Sequence, residues 1–207
     1  LGCIAACLHT AGNPIYLPAK IQARLQRTRA FMTSRKEYVA LMAFEIEALE
    51  RKANSLGMLP AWRPNTTSDY PFHNVALTVN GKAVKSLIHA FPNVQAWDYT
   101  KITKKALQWA AGLLPDNYHI TFSKSESNDS DVAKVLKAGG NVAVVFEKAL
   151  PDTYLSKRVI NGDESDARFL DSKGFLDSKG VVVGLKAKGL GKADSSGFVV
   201  RQLESVA

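Results

Sequence analysis

Residues 117–148 read NYHITFSKSESNDSDVAKVLKAGGNVAVVFEK, and this stretch decides the fold. "NYHITF" (117–122) is a β-rich run that passes into the polar "SKSESN". "DSDVAKVLKAGG" (129–140) opens on Asp and Ser, keeps apolar residues at helical spacing and stops on two glycines, the start and stop signals of a helix. "NVAVVFEK" (141–148) is a near-continuous apolar run, the pattern of a strand buried on both faces. Strand, helix and strand in so short a span form a βαβ unit, whose two strands lie parallel.

The same alternation extends outward. "NVQAWDYTKI" (93–102) reads as a strand and "KKALQWAAGLL" (104–114) as a helix. "RVINGDESDARF" (158–169) takes a short strand into an acidic loop, and "GVVVGLKAKG" (180–189) and "GFVVRQL" (197–203) are further strands. Upstream, "MLPAWRP" (58–64) is a short extended segment and "AVKSLIHAF" (83–91) a short helix. The chain begins with helices. Leu17–Phe31 is one, with Pro18 suited to its first turn. Arg35–Leu56 is the clearest: Ser34 and Glu37 have capping-box spacing, Met42, Ile46, Leu49 and Ala53 keep the 3.6-residue period, and Gly57 stands where a helix stops.

The fold class predicted is α/β, alternating helix and strand with a mostly parallel sheet. A partial or irregular TIM-type barrel and an open doubly wound sheet both fit, since six strands are fewer than a full barrel needs. Residues 1–207 read as a single α/β domain in which residues 1–57 form a mainly helical, basic part. "FLDSKG" occurs twice in succession, at 169–174 and 175–180, which lengthens one loop.

Hydrophobic residues make up 46% of the 207 and charged residues 22%, as in globular proteins generally. No apolar run reaches the roughly 18 residues of a membrane span. No secretory signal pattern is visible, and two cysteines are too few for a disulfide scaffold, so a cytoplasmic setting is expected. The formal net charge is +8, and Lys20, Arg24, Arg27, Arg29, Arg35 and Lys36 supply six of these charges in a stretch without an acid. Such asymmetry suits a polyanionic partner, nucleic acid or nucleotide, with Lys20, Arg24, Arg27 and Arg29 as backbone contacts; a solvated basic helix face is the plainer reading.

Ligands of parallel α/β folds bind at the carboxyl ends of the strands, and polar residues gather after each strand here. Asn65, Ser68 and Asp69 follow the first; Asp98, Tyr99 and Lys101 the second; Ser123, Ser125, Glu126 and Asn128 the third. Asp163, Glu164, Asp166 and Arg168 follow the strand near Ile160, and Lys186 and Lys188 follow "VVVGL". Loops are polar in any fold, and Asp129 and Ser130 read as caps. As a set, the carboxylates suit a divalent cation or acid/base work, with Asp69, Asp163 and Asp166 as catalytic candidates. Lys101, Arg168 and Lys186 suit phosphate, and the remaining residues suit substrate contacts. No P-loop and no dinucleotide-binding glycine motif follows a strand. Of the histidines, His89 is expected on a helix surface and His119 packed within its strand.

Cys3 and Cys7, spaced to share a helix face, read either as metal ligands that need further partners or as buried thiols. The runs "GCIAACLHTAGNP", "RTRAF", "NTTSDYP", "FPNVQAWDYTKI", "NYHITFSKSESN", "GGNVAVVF", "VINGDESDARFLD", "GVVVGLKAKG" and "SSGFVV" resemble, in the same order, the phage- and plasmid-borne family called gene product 88. The resemblance covers nearly the whole chain and implies a phage or prophage origin. Family members begin with a further stretch holding one more cysteine, so the resemblance implies a truncated member whose Cys3 and Cys7 belong to a zinc or iron–sulfur site of the full-length protein. The cysteine pair with αβ alternation is similar to metal-bearing TIM-type enzymes. The resulting expectation is a metal-dependent enzyme acting on nucleic acid or nucleotide. The alternatives are a non-catalytic nucleic-acid-binding protein and a structural or host-interaction phage protein.

Overall fold

The computed structural model describes residues 17–171 and 180–201. The chain divides into two units, residues 14–97 with 114–119 and residues 98–113 with 120–207. Strands β4 (Gln95–Thr100) and β5 (Tyr118–Ser123) each run from the first unit into the second.

The first unit begins with helix α1 (Pro18–Thr33) and helix α2 (Arg35–Ser55), joined at Ser34. The capping box expected at Ser34 does not form. The Ser34 side chain makes no cap bond; its backbone instead closes α1, donating to Ala30, and opens α2, accepting from Tyr38. A one-residue joint leaves no extended cap position for the side chain to use. Gly57 ends α2 as expected: at φ +64° it lets its own N–H reach Asn54 and that of Met58 reach Ala53, a Schellman closure. Strand β1 (Ala61–Trp62) follows and pairs in parallel with the start of β4.

The expected helix over 83–91 is shared between two elements. Asn80 and Gly81, both at positive φ, form the tight turn of a hairpin between β2 (Leu77–Val79) and β3 (Lys82–Val84), which takes Ala83 and Val84. Helix α3 is left with Leu87–Ala90, its N–H at His89 capped by the Ser86 hydroxyl. Val39, Ala43 and Ile46 of α2 pack with Phe72, Leu87, Phe91 and Val94 as the core of this unit. Asn117 ties it together by donating its amide to the carbonyls of Ile88, Phe91 and Val94. His119 is buried and His89 exposed.

The second unit holds α4 (Thr103–Ala110), the rest of β5, α5 (Asp129–Lys137), β6 (Asn141–Phe146), β7 (Thr153–Tyr154), β8 (Lys157–Asn161), β9 (Val182–Lys186) and β10 (Val199–Val200). β5, β6, β9 and β8 run parallel in that order; β7 adds antiparallel to β8, and β10 adds parallel to β6. Val142, Val144 and Phe146 of β6 are fully buried, and Ala143 on the opposite side of the pleat is buried too, as its apolar run predicts. Ile120, Phe122, Val132, Val135, Val182 and Val183 complete the core.

The sheet is thus mixed but mostly parallel, and among the described residues no strand pairing closes a barrel. The expected TIM-type barrel gives way to the open sheet, because the β7–β8 hairpin turns the chain back where a barrel would continue by crossover. Of the doubled hexamer, residues 172–179 lie outside the described residues.

Candidate functional site

The partner of β6 changes along its length. Thr121–Ser123 of β5 pair with Asn141–Ala143, while Val199 and Val200 of β10 pair with Val145 and Phe146 on the same strand. The parting follows directly after Ser123, where the Lys124 N–H makes a last bond to the Ala143 carbonyl. At this point, at the carboxyl edge of the parallel strands, a cleft of about 560 Å³ opens. Its walls include Lys124, Asp129, Tyr154, Leu155, Asp194, Gly197 and Arg201.

Lys124 anchors the cleft floor. Its side chain is buried, and its ammonium donates to the carbonyls of Gly197 (3.0 Å) and Ser125 (3.2 Å) and pairs with Asp129 Oδ1 (3.2 Å). A buried cation needs that full set of acceptors. It joins the end of β5 to the loop that leads into β10.

Asp194 builds this loop. One carboxylate oxygen accepts from the Ser196 hydroxyl at 2.7 Å and the other from the Val199 N–H at 3.0 Å. Partial burial by itself would raise its carboxyl, but bonds from Ser196, Val199 and Gly197 outweigh it and hold the group below the ordinary carboxylate range. The Asp194 carbonyl in turn accepts from Arg201 at 2.6 Å.

Tyr154 stands edge-on to Phe146, with ring centroids 5.6 Å apart. Burial raises its hydroxyl above the usual phenol range, and the Asp129 carboxylate adds to the rise. At neutral pH the hydroxyl keeps its proton, as an ordinary phenol does. The cleft thus offers an aromatic face, an aliphatic side chain at Leu155, a protonated phenol and the guanidinium of Arg201.

None of the candidate site residues expected from sequence lines this cleft. Asn128 organises the turn after β5, accepting from Ser125 N–H at 2.7 Å and donating to the Ser123 carbonyl at 3.0 Å. Ser123, Ser125, Glu126 and Asn128 surround Lys124 and Asp129 in sequence, and it is these two that line the cleft. The sequence pattern marks Asp129 only as a cap and gives no signal at Tyr154, Asp194 or Arg201. The signal for Tyr154 and Arg201 lies in a strand pairing that no local pattern encodes.

A second polar group sits where β8 and β9 end. The Asp163 carboxylate accepts from the Lys186 N–H (2.9 Å) and the Lys188 ammonium (2.8 Å). Burial opposes its ionisation, yet these two bonds and the two lysine charges bring the group below its ordinary range. Asn161 donates to Glu164 at 2.9 Å. Arg168 is only 1% exposed; its guanidinium donates to the Gly162 carbonyl and faces Asp171 at 3.4 Å. Burial lifts the Asp171 carboxyl to about 6, Arg168 opposing and Asp166 reinforcing the shift.

At the end of β4, Asp98 is fully buried and pairs with buried Lys105 at 3.9 Å, Tyr99 donates its hydroxyl to Asp166 at 3.4 Å, and Lys101 is exposed. In the first unit Asn65 is buried: it donates to the Tyr70 carbonyl and accepts from Ser68 Oγ and the Tyr70 N–H, which shapes the loop carrying Asp69. Lys20, Arg24, Arg27 and Arg29 are exposed along α1, no residue of which is buried.

Among the described residues no three His, Cys, Asp or Glu side chains gather as a cation would require. Cys3 and Cys7 lie outside the described residues. No described helix is long and apolar enough to cross a membrane. A family model described as Gene product 88 matches residues 1–202 of the chain. Comparison with curated proteins finds no match, nor does comparison with solved structures.

Proposed function

The chain belongs to the gene product 88 family, and from that premise we propose that it binds a nucleotide, free or at the end of a nucleic acid, in the cleft of the second unit. The observation that carries this reading is the parting of β5 from β6. Crevices at the carboxyl edge of parallel sheets, where neighbouring strands diverge, are where α/β folds take ligands. A volume of about 560 Å³ falls in the range of small-molecule sites and suits a mononucleotide. Arg201 is the cation we assign to the phosphate: it is more than half exposed, is held to the loop through the Asp194 carbonyl, and keeps only a long 3.9 Å ion pair with Glu147. The Tyr154 hydroxyl is the donor we assign to a sugar or phosphoryl oxygen. Any reaction on the bound nucleotide would begin from these groups, with Asp129 as the neighbouring carboxylate.

Titration calorimetry with the four ribonucleoside 5′-monophosphates tests the reading. Saturable binding that is lost in Arg201→Ala and Tyr154→Ala supports it. No binding to the unaltered protein, or binding that both variants retain, overturns it.

A second reading rests on α1. A helix of 16 residues with no buried side chain, four exposed cations and no acid has the electrostatics of a nucleic-acid backbone contact. It does not exclude the first reading. Binding of a short oligonucleotide that weakens steeply with salt supports it, and salt-independent or absent binding removes it.

A further inference from the structure

The loop from β7 to β8 has only two residues, since Tyr154 pairs with Lys157. Both have positive φ, Leu155 at +49° and Ser156 at +59°. This is the geometry of a tight hairpin turn that Asn-Gly ordinarily fills, and Asn80-Gly81 fills one between β2 and β3. Leucine in the left-handed region is disfavoured, because its Cβ crowds the following carbonyl. Packing does not compensate: Leu155 is 54% exposed. Strain of this kind that no packing repays points to function.

The position does one thing that Asn or Gly would not. It sets a branched aliphatic side chain on the wall of the cleft, next in sequence to Tyr154, whose ring is fixed against Phe146. We propose that Leu155 is a specificity-determining contact of the cleft, an apolar jaw that presses on the flat face of the ligand's base while Arg201 takes its phosphate. This rests on the nucleotide reading above and adds to it which ligands are favoured. Purine monophosphates, with the larger apolar face, bind more tightly than pyrimidine monophosphates, and ribose 5-phosphate binds weakly.

Three variants test the proposal. Ser156→Gly relaxes the turn without touching the cleft wall. Leu155→Gly and Leu155→Asn relax it and remove the jaw. Thermal melting should show all three folded, with the midpoint unchanged or raised by about 2–4 °C. Calorimetry with adenosine 5′-monophosphate should show Ser156→Gly within about twofold of the unaltered protein and both Leu155 variants weakened about tenfold or more, a change of about 1.4 kcal/mol. Leu155 variants that bind as tightly as the unaltered protein overturn the proposal and leave the cleft reading standing. Leu155 variants that melt well below Ser156→Gly also overturn it, since the side chain would then be structural. Failure of the unaltered protein to bind any monophosphate overturns the cleft reading and this inference together.

Discussion

The ammonium of Lys124 lies 3.0 Å from the carbonyl oxygen of Gly197, bridging residues 73 positions apart in the chain. That bond holds the loop before β10 to the end of β5 and fixes the width of the cleft between them.

Lys124→Met keeps most of the aliphatic stem but removes three donors. The carbonyls of Ser125 and Gly197 lose a buried partner, and Asp129 loses its countercharge. A loss of about 2–3 kcal/mol is expected in urea unfolding. Nucleotide binding should fall with it, because the loop whose Asp194 carbonyl holds Arg201 is no longer tied down. A variant as stable as the unaltered protein would show that the bridge carries no load.

Gly162→Ala probes the close packing beneath Arg168. A Cβ there would lie 2.5 Å from a Val183 methyl and 2.9 Å from Arg168 Nη1. Neither neighbour can retreat, since both are buried. Destabilisation of about 1–3 kcal/mol is expected, read as a lower midpoint in thermal or urea unfolding. An unchanged midpoint would mean that β8 and β9 part more easily than their pairing suggests.

Asp171 gives a pH signature. Its folded carboxyl sits near 6, above the ordinary value of 3.8. The folded state therefore holds the proton more tightly than the unfolded chain does, and stability falls as pH rises from about 4 to about 6. Comparison with Asp171→Asn isolates the effect: the stability of the unaltered protein relative to this variant should drop by about 1–2 kcal/mol across that window, allowing for partial solvent screening. Parallel pH profiles for the two proteins would show that Asp171 titrates normally.

Replacing Arg24, Arg27 and Arg29 with Gln should leave the fold intact, since none is buried. If α1 contacts a nucleic-acid backbone, the slope of log affinity against log salt should shrink by about one per contact removed. Equal slopes for the two proteins would place the contact elsewhere.

Asn65→Ala should cost about 1–3 kcal/mol, because the Tyr70 carbonyl and N–H and the Ser68 hydroxyl all lose their partner. Such a loss, measured by urea unfolding, would mark Asn65 as the organiser of its loop. A variant of unchanged stability would show that these three bonds do not hold the loop together.

The fold was legible wherever burial leaves a period in the sequence. The runs around β5, α5 and β6 gave a βαβ unit, and α2 ended at Gly57 because only a residue tolerant of positive φ closes a helix in that way. Asn80-Gly81 is the Asn-Gly hairpin signal, and the helical expectation for 83–91 leaves it out. The hairpin at Leu155-Ser156 carries none, because Leu-Ser is not one of the Asn-Gly-type pairs that mark a two-residue turn.

The sequence by itself determined the α/β class, the buried central strand, the basic first helix and the membership of a family, since each rests on residue type and local spacing. Only the tertiary structure decided whether the sheet closes, which polar residues are spent on loops, and where a cleft opens. Lys124, Tyr154 and Arg201 meet because β10 takes the edge of β6 that β5 leaves. That choice depends on pairing between segments far apart in the chain, and no periodicity within either segment encodes it.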